Sequence, residues 1–526
     1  PRLIHCNEKD MNTFLHFKTG VLDPLGVLSS WFPKLECCQW TGVKCDNITG
    51  RVTQLNLPCH RNQPHKVDFY DDDDKSHCLT GKFSLTLLEL EFLSYLNLSN
   101  NDFKSMQYNS MGSQKCHDLS RGNLPHLCGN STNLHYLDLS YNYDLLFDNL
   151  HWISRLSSLQ YLNLGGVHLQ KEIDWLQSVT MLPSLLELHL ESCRLENIYP
   201  FLQYANFTSL QVLNLASNGF VSELPGWLFN LTCDISHIDL SQNQIHSQLP
   251  KTLPNLRSIK SLDLSSNYLK GPIPNWLEQL EQLQELDLSE NFFSGPIPTN
   301  LGNLSSLVEL ILSSNELNGN LPDTLGQLFN LEILRVENNP LTGIVSERNL
   351  FSLKKLKIFY INSPALIFDF DLEWIPPFQL QSIYLGHVRD KLPEWLFTQS
   401  SLKELTILDS TASFELLDKF WNFATQLEAF QLENNRINGD ISNVLLSSKL
   451  VWLASTGGMP RISPQVSFLH FHCQDPFLLL CYNNINKCNL VYLNMAYNHL
   501  SGELTDCWSD WKSGNRWFLL ILDTTT

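Results

Sequence analysis

A 24-residue period runs through the middle of this chain and fixes the kind of fold it can adopt. The segment SIKSLDLSSNYLKGPIPNWLEQL is followed by QLQELDLSENFFSGPIPTNLGNL and then by SLVELILSSNELNGNLPDTLGQL, so Leu262, Leu286, Leu310 and Leu334 recur at one position. The same position continues outward through Leu55, Leu96, Leu137, Leu162, Leu188, Leu213 and Ile238. Downstream it runs through Phe359, Ile383, Leu405, Phe430, Leu453, Leu469 and Leu493, about eighteen turns in all. One such unit cannot bury its own apolar face, so the units must stack into an elongated array. An array also accounts for 526 residues, a length at which a single compact core has stopped growing.

Each part of the unit has a physical role. In Leu262-Asp263-Leu264 the two leucines alternate inward, as a short strand of period two requires. Strands of successive turns then pair in parallel, about 4.8 Å apart. Asn267 stands where the chain leaves the strand, and a buried amide there can satisfy backbone groups that no strand reaches. The same ladder holds Asn101, Asn142, Asn218, Asn243, Asn291, Asn315, Asn339, Asn435 and Asn498, with Cys193 as a structural thiol in its own turn.

Two long intervals interrupt the array, at 58–92 and 99–133. They contain Cys59, Cys78, Cys116 and Cys128, candidates for local bridges of open pairing. The run Tyr70 to Lys75 in the first is read as a solvated acidic loop, since consecutive acids lack the alternate spacing of a calcium site. A third irregular stretch is expected at 341–423, where Pro364, Val388 and Ser410 replace the ladder Asn. The interval from Leu453 to Leu469 is too short for a full turn.

Composition narrows the function. The chain carries 35 Lys and Arg against 54 Asp and Glu, a formal charge of −19, which argues against nucleic acid or anionic lipid as partner. Fourteen cysteines indicate an oxidising compartment. The start at Pro1 reads as a mature product with its signal peptide removed, and no apolar run is long enough to span a bilayer. Asn47, Asn97, Asn130, Asn206, Asn230 and Asn303 head glycosylation sequons. No kinase, Gly-x-Ser-x-Gly or His-Glu-x-x-His motif occurs, and the carboxylates are spread over separate turns. We therefore expect no enzyme, no cofactor and no metal site; His470 and His472 read as a degraded repeat.

The N-terminal residues carry the most specific likeness. Cys6, Phe14 to Lys18, Leu28 to Trp31 and Cys37-Cys38-Gln39-Trp40-Thr41-Gly42-Val43-Lys44-Cys45 resemble the cap of plant leucine-rich-repeat proteins, and Leu269 to Pro274 resembles the Leu-x-Gly-x-Ile-Pro element of the plant repeat class. The fold this implies is a right-handed leucine-rich-repeat superhelix, an α/β-type solenoid with a concave parallel sheet. The expected organisation is a disulfide-bonded cap at 1–50, repeats at 51–511 and a divergent tail at 512–526 without a C-terminal cap, as in a truncated chain. The likeness implies Cys6–Cys37 and Cys38–Cys45 bridges; Cys481 and Cys507, in adjoining turns, form a further expected pair. Within the class the chain looks like receptor-like proteins of the fungal-xylanase-receptor group. That implies an extracellular ectodomain at the plasma membrane, signalling in defence or development through a partner receptor kinase. The alternatives are a secreted protein similar to polygalacturonase inhibitors and a nonfunctional truncation product.

Strand alternation also suggests where a peptide, protein or glycan ligand would sit. Ser261, Asp263, Ser265, Glu285, Asp287 and Ser289 point outward and are polar, so those turns are expected to act as spacer. Polarity then changes to Ile333 with Arg335, Ile358 with Tyr360, and Tyr384. Exposed apolar and aromatic residues on a sheet face mark a binding seat, unless a loop packs over them. Tyr95, Tyr136 and Tyr161 form a second outward column.

Overall fold

A computed structural model describes residues 5–59, 77–107, 133–199, 201–203, 205–388 and 392–410, residues 423 and 427, and six short strands between 413 and 521. The chain divides into two units, Pro1–Leu269 and Lys270–Thr526.

The first unit begins with the cap. Helix Glu8–Thr19 starts where the Asn7 side chain accepts from the Lys9 and Asp10 amides, with Glu8 and Asp10 in its first turn and Lys18 in its last. Phe14 and Phe17 are buried against Trp31, which stacks on Trp40 at 5.4 Å. Buried Asp10 accepts from the Val52 amide at 3.0 Å and from Arg51 Nε at 3.1 Å, tying the helix to the first strand. Cys6–Cys37 and Cys38–Cys45 bridges are both present, as the family likeness implied, and Cys59 pairs with Cys78.

From Val52–Asn56 a parallel sheet runs through Tyr95–Asn97, Tyr136–Asp138, Tyr161–Asn163, Glu187–His189, Val212–Asn214, His237–Asp239 and Ser261–Asp263. Its first strand is covered by the antiparallel cap strand Val43–Cys45, which removes an open edge. The early intervals are not wholly irregular. Thr80–Ser84 and Asp102–Gln107 pair in parallel and join Val21–Leu22 in a small second sheet. Tyr70 to Lys75, Cys116, Cys128 and Asn130 lie outside the described residues.

The second unit repeats the design. Glu285–Asp287, Glu309–Ile311, Ile333–Arg335, Ile358–Asn362, Ser382–Gly386, Glu404–Leu408, Ala429–Glu433 and Trp452–Ala454 pair in parallel and in register. Pro274, Pro298 and Pro322 each precede a 3-10 turn, and Gly295 and Gly319 hold φ of 80° and 74°, which only glycine adopts cheaply.

Leu453 pairs directly with Leu493, and Leu469 lies outside the described residues. The stretch 341–423 keeps the sheet register through 410, and its strands lengthen to five residues at Ile358–Asn362, Ser382–Gly386 and Glu404–Leu408. The tail expected at 512–526 contributes the strand Leu519–Ile521, paired to Tyr492–Asn494. His470, His472, Cys473, Cys481, Cys488 and Cys507 lie outside the described residues.

The Asn ladder works as the sequence suggested. Asn243 Nδ2 donates to the carbonyls of Leu215, Leu240 and Ser241 at 3.1 Å, and its Oδ1 accepts from the Asn218 amide. The residue before each ladder Asn from Asn101 to Asn339 takes a left-handed φ, for example 54° at Gln242 and 55° at Ser314. That conformation costs about 1 kcal/mol or more per residue, offset by the buried amide bonds it sets up. Cys193 fills its turn as a buried thiol, 3.1 Å from the Leu164 carbonyl, and burial pushes its pKa well up.

Candidate ligand-binding face

The five proposed binding residues stand on three consecutive strands of the second unit. Ile333 is opposite Ile358, and Arg335 is opposite Tyr360, which is opposite Tyr384. Each is half-buried, with the other side of its strand pinned by Leu334, Phe359 or Ile383 in the core.

The polar atoms of this row are tied together. Arg335 Nε donates to Glu337 Oε1 at 3.0 Å, and Nη2 reaches the same oxygen. The guanidinium carbon lies 5.0 Å from the centre of the Tyr360 ring, within cation–π range. Tyr360 and Tyr384 meet edge to face at 6.0 Å. The Tyr360 hydroxyl is 2.7 Å from Ser382 Oγ, which donates to Glu404 at 2.8 Å. Asn362 Nδ2 donates to the Tyr384 hydroxyl and lies 3.0 Å from Asn338 Oδ1. The ring orientations are thereby set before anything binds, while Arg335 keeps 39% of its side chain exposed.

Glu337 is the group that reading the columns one at a time overlooked. Two residues beyond Arg335 in an extended segment, it falls on the same face by period two. Its side chain is only 4% exposed. Burial raises its pKa, and Arg335 acts against that shift.

The other aromatic column is internally satisfied. Tyr95 stacks on Tyr136 and Tyr136 on Tyr161, both at 4.3 Å and nearly parallel. Their faces cover one another, and the Tyr136 and Tyr161 hydroxyls meet Asp138 and Asn163 on their own strands. Burial pushes both phenols up in pKa. This column braces the sheet of the first unit.

Among the sequons, Asn47, Asn206 and Asn303 are exposed, whereas Asn97 lies within a strand, with its Oδ1 accepting from the amide and hydroxyl of buried Ser99. Asn230 is half-buried and donates to the Gln203 carbonyl at 3.2 Å. We expect glycopeptide mapping of the chain expressed through a secretory pathway to find glycan on Asn47, Asn206 and Asn303 and none on Asn97; occupancy at Asn97 would contradict the strand. The grouping of Cys6, Cys37 and Cys38 within ligand distance of one another is accounted for by their disulfides. Among the described residues no helix is long and apolar enough to cross a membrane.

Comparison with known proteins agrees with this architecture. The model of a leucine-rich repeat region matches residues 206–414, and that of a leucine rich repeat N-terminal domain matches residues 7–46. The chain has the leucine-rich-repeat fold, with a matching N-terminal domain and repeat region. Neither matching family is a catalytic one. Its relatives are plant receptor-like proteins. Receptor-like protein EIX1 of Solanum lycopersicum is 37% identical over 267 residues, which is 46% of this chain and 24% of that protein. Receptor-like protein EIX2 of the same plant is 30% identical over 271 residues, again 46% and 24%. The matched part of this leucine-rich-repeat chain thus covers under a third of either relative. A crystal structure of a TDR receptor aligns with a TM-score of 0.52 at 24% identity, covering 72% of this chain and 63% of that one, and shows the fold.

Proposed function

We propose that this chain is the extracellular ligand-recognition part of a plant cell-surface receptor-like protein, acting in defence or developmental signalling through a partner receptor kinase. The observation that carries this reading is the row Arg335, Tyr360 and Tyr384, aromatic and cationic side chains held in fixed orientation yet partly open to water. Such residues dominate binding energy at interfaces, and preorganised ones bind at lower entropic cost. The similarity to EIX1 and EIX2 and the three disulfides of the N-terminal region support a cell-surface setting.

The seat is tested by substitution. Arg335 is a poor single target, because its loss leaves the buried Glu337 carboxylate without a cation and destabilises the fold. Tyr360→Ala and Tyr384→Ala are cleaner. With dodecapeptides selected from a random phage-displayed library on the full chain, each is expected to cost about 1–3 kcal/mol of affinity. Thermal unfolding should shift little. Unchanged binding, or a large loss of stability with each substitution, would assign these tyrosines to the scaffold.

A further inference from the structure

The strands just before the patch carry carboxylates that form no ion pair. Glu285 and Glu309 stand opposite one another on adjacent strands, and Asp287 lies beside Ile311, which in turn faces Arg335. The cations at hand are committed elsewhere, Arg335 to Glu337 and Lys357 to Glu332. Among the described residues, no Lys, Arg or His lies within ion-pair distance of Glu285, Asp287 or Glu309. Burial raises the Glu309 pKa, and repulsion from Glu285, Asp287 and Glu332 adds to it. Burial raises Asp287 as well, although Ser289 hydrogen bonds and the more distant Arg335 charge oppose the shift.

A second observation points the same way. Glu337 is 4% exposed, and only one of its oxygens is used. The other, Oε2, is buried with no hydrogen-bond partner. A buried carboxylate oxygen left unpaired costs on the order of 1–3 kcal/mol, so it marks a place where a donor fits. Repulsion from Asp287 adds to the upward pKa shift of Glu337.

We propose that Glu309, with Glu285, Asp287 and Glu337 Oε2, forms a subsite for the guanidinium or ammonium of a basic residue in a peptide ligand. The aliphatic stem of that residue lies along Ile311 and Ile333, and an apolar or aromatic ligand residue meets Ile358 and Tyr360. A guanidinium supplies several directed donors and suits a site lined by carboxylates. From the Glu309 strand to the Tyr360 strand is two strand spacings, about 10 Å. An extended peptide covers that in about three residues. The inference rests on the Tyr360–Tyr384 seat, and it gives Glu285 and Asp287 a binding role in turns that the sequence presented as spacer.

The test uses the same phage-displayed random dodecapeptides on the full chain. Selected peptides are expected to place Lys or Arg two to four residues from an aliphatic or aromatic residue. Glu309→Gln should weaken them about tenfold, Glu285→Gln with Glu309→Gln should weaken them further, and raising salt should weaken wild-type binding. Glu309→Gln removes an unanswered charge, so its thermal stability should equal or exceed that of wild type. If selected peptides lack basic residues, or bind Glu309→Gln as well as wild type while Tyr360→Ala still weakens them, the cation subsite is wrong and the seat stands. If Tyr360→Ala is neutral too, both are wrong. Failure to enrich any peptide over a Tyr360→Ala, Tyr384→Ala control also overturns both.

Discussion

Replacing Cys6 and Cys37 together with serine is expected to destabilise the first unit by about 3 kcal/mol. The bridge closes a loop with a sequence separation of 31, long enough for a substantial restriction of the unfolded chain. Its location matters as much as its length. It fastens the N-terminus of the Glu8–Thr19 helix to the segment before Trp40, and between them sit Phe14, Trp31 and Trp40 in mutual contact. Behind that cluster the cap strand Val43–Cys45 covers the edge of the parallel sheet. Loosening the cap therefore exposes both an apolar face and a row of strand amides. In a repeat array the loss should stay local, since each turn contacts only its neighbours. Hydrogen exchange should show faster exchange at Val52–Asn56 and Tyr95–Asn97 in the variant, with the second unit unchanged. Peptide mapping without reduction should recover Cys6–Cys37, Cys38–Cys45 and Cys59–Cys78. Four free thiols at Cys6, Cys37, Cys38 and Cys45, or an unaltered exchange pattern, would refute the cap as drawn.

Much of this molecule is legible from spacing because one position does one job. Leu262, Leu286, Leu310 and Leu334 are inward in the sequence and buried in the structure for the same reason, a strand of period two against a core. Where the reading failed, the cause was a signal shared with something else. Register is fixed by backbone pairing and not by spacing alone, and Leu453 pairs directly with Leu493, 40 residues on. Leu519–Ile521 needs only an open neighbouring strand to become a strand itself, and so short a segment carries no repeat signature. In 341–410 the missing Asn suggested irregularity, yet hydroxyls take over part of its work. Ser363 Oγ donates to the Leu341 carbonyl, while Ser410 Oγ donates to Leu408 and accepts from the Val388 amide. The binding columns were visible as a change in polarity. The Arg335–Glu337 pair was not, because it joins two columns within one chain segment.

Substituting Asn315 by Leu is expected to cost about 3–5 kcal/mol, more than any surface change on this face. Leu has similar bulk, so the loss comes from hydrogen bonds and not from a cavity. Asn315 Nδ2 donates to the carbonyls of Leu288 at 2.9 Å and of Leu312 and Ser313 at 3.2 Å, and its Oδ1 accepts from the Phe293 amide at 2.9 Å. All four partners are backbone groups at buried positions that lie beyond the reach of strand pairing and have little access to water. Ser314 also keeps its left-handed φ of 55° with nothing left to offset it. Asn315→Ser provides the internal control, because Ser410 shows that a hydroxyl can serve one donor and one acceptor at this position. About half the loss should return. Urea unfolding followed by circular dichroism measures both, with the second unit as the affected transition. A cost under about 1 kcal/mol for Asn315→Leu would mean that water reaches these carbonyls. The repeat would then be held by its leucines alone.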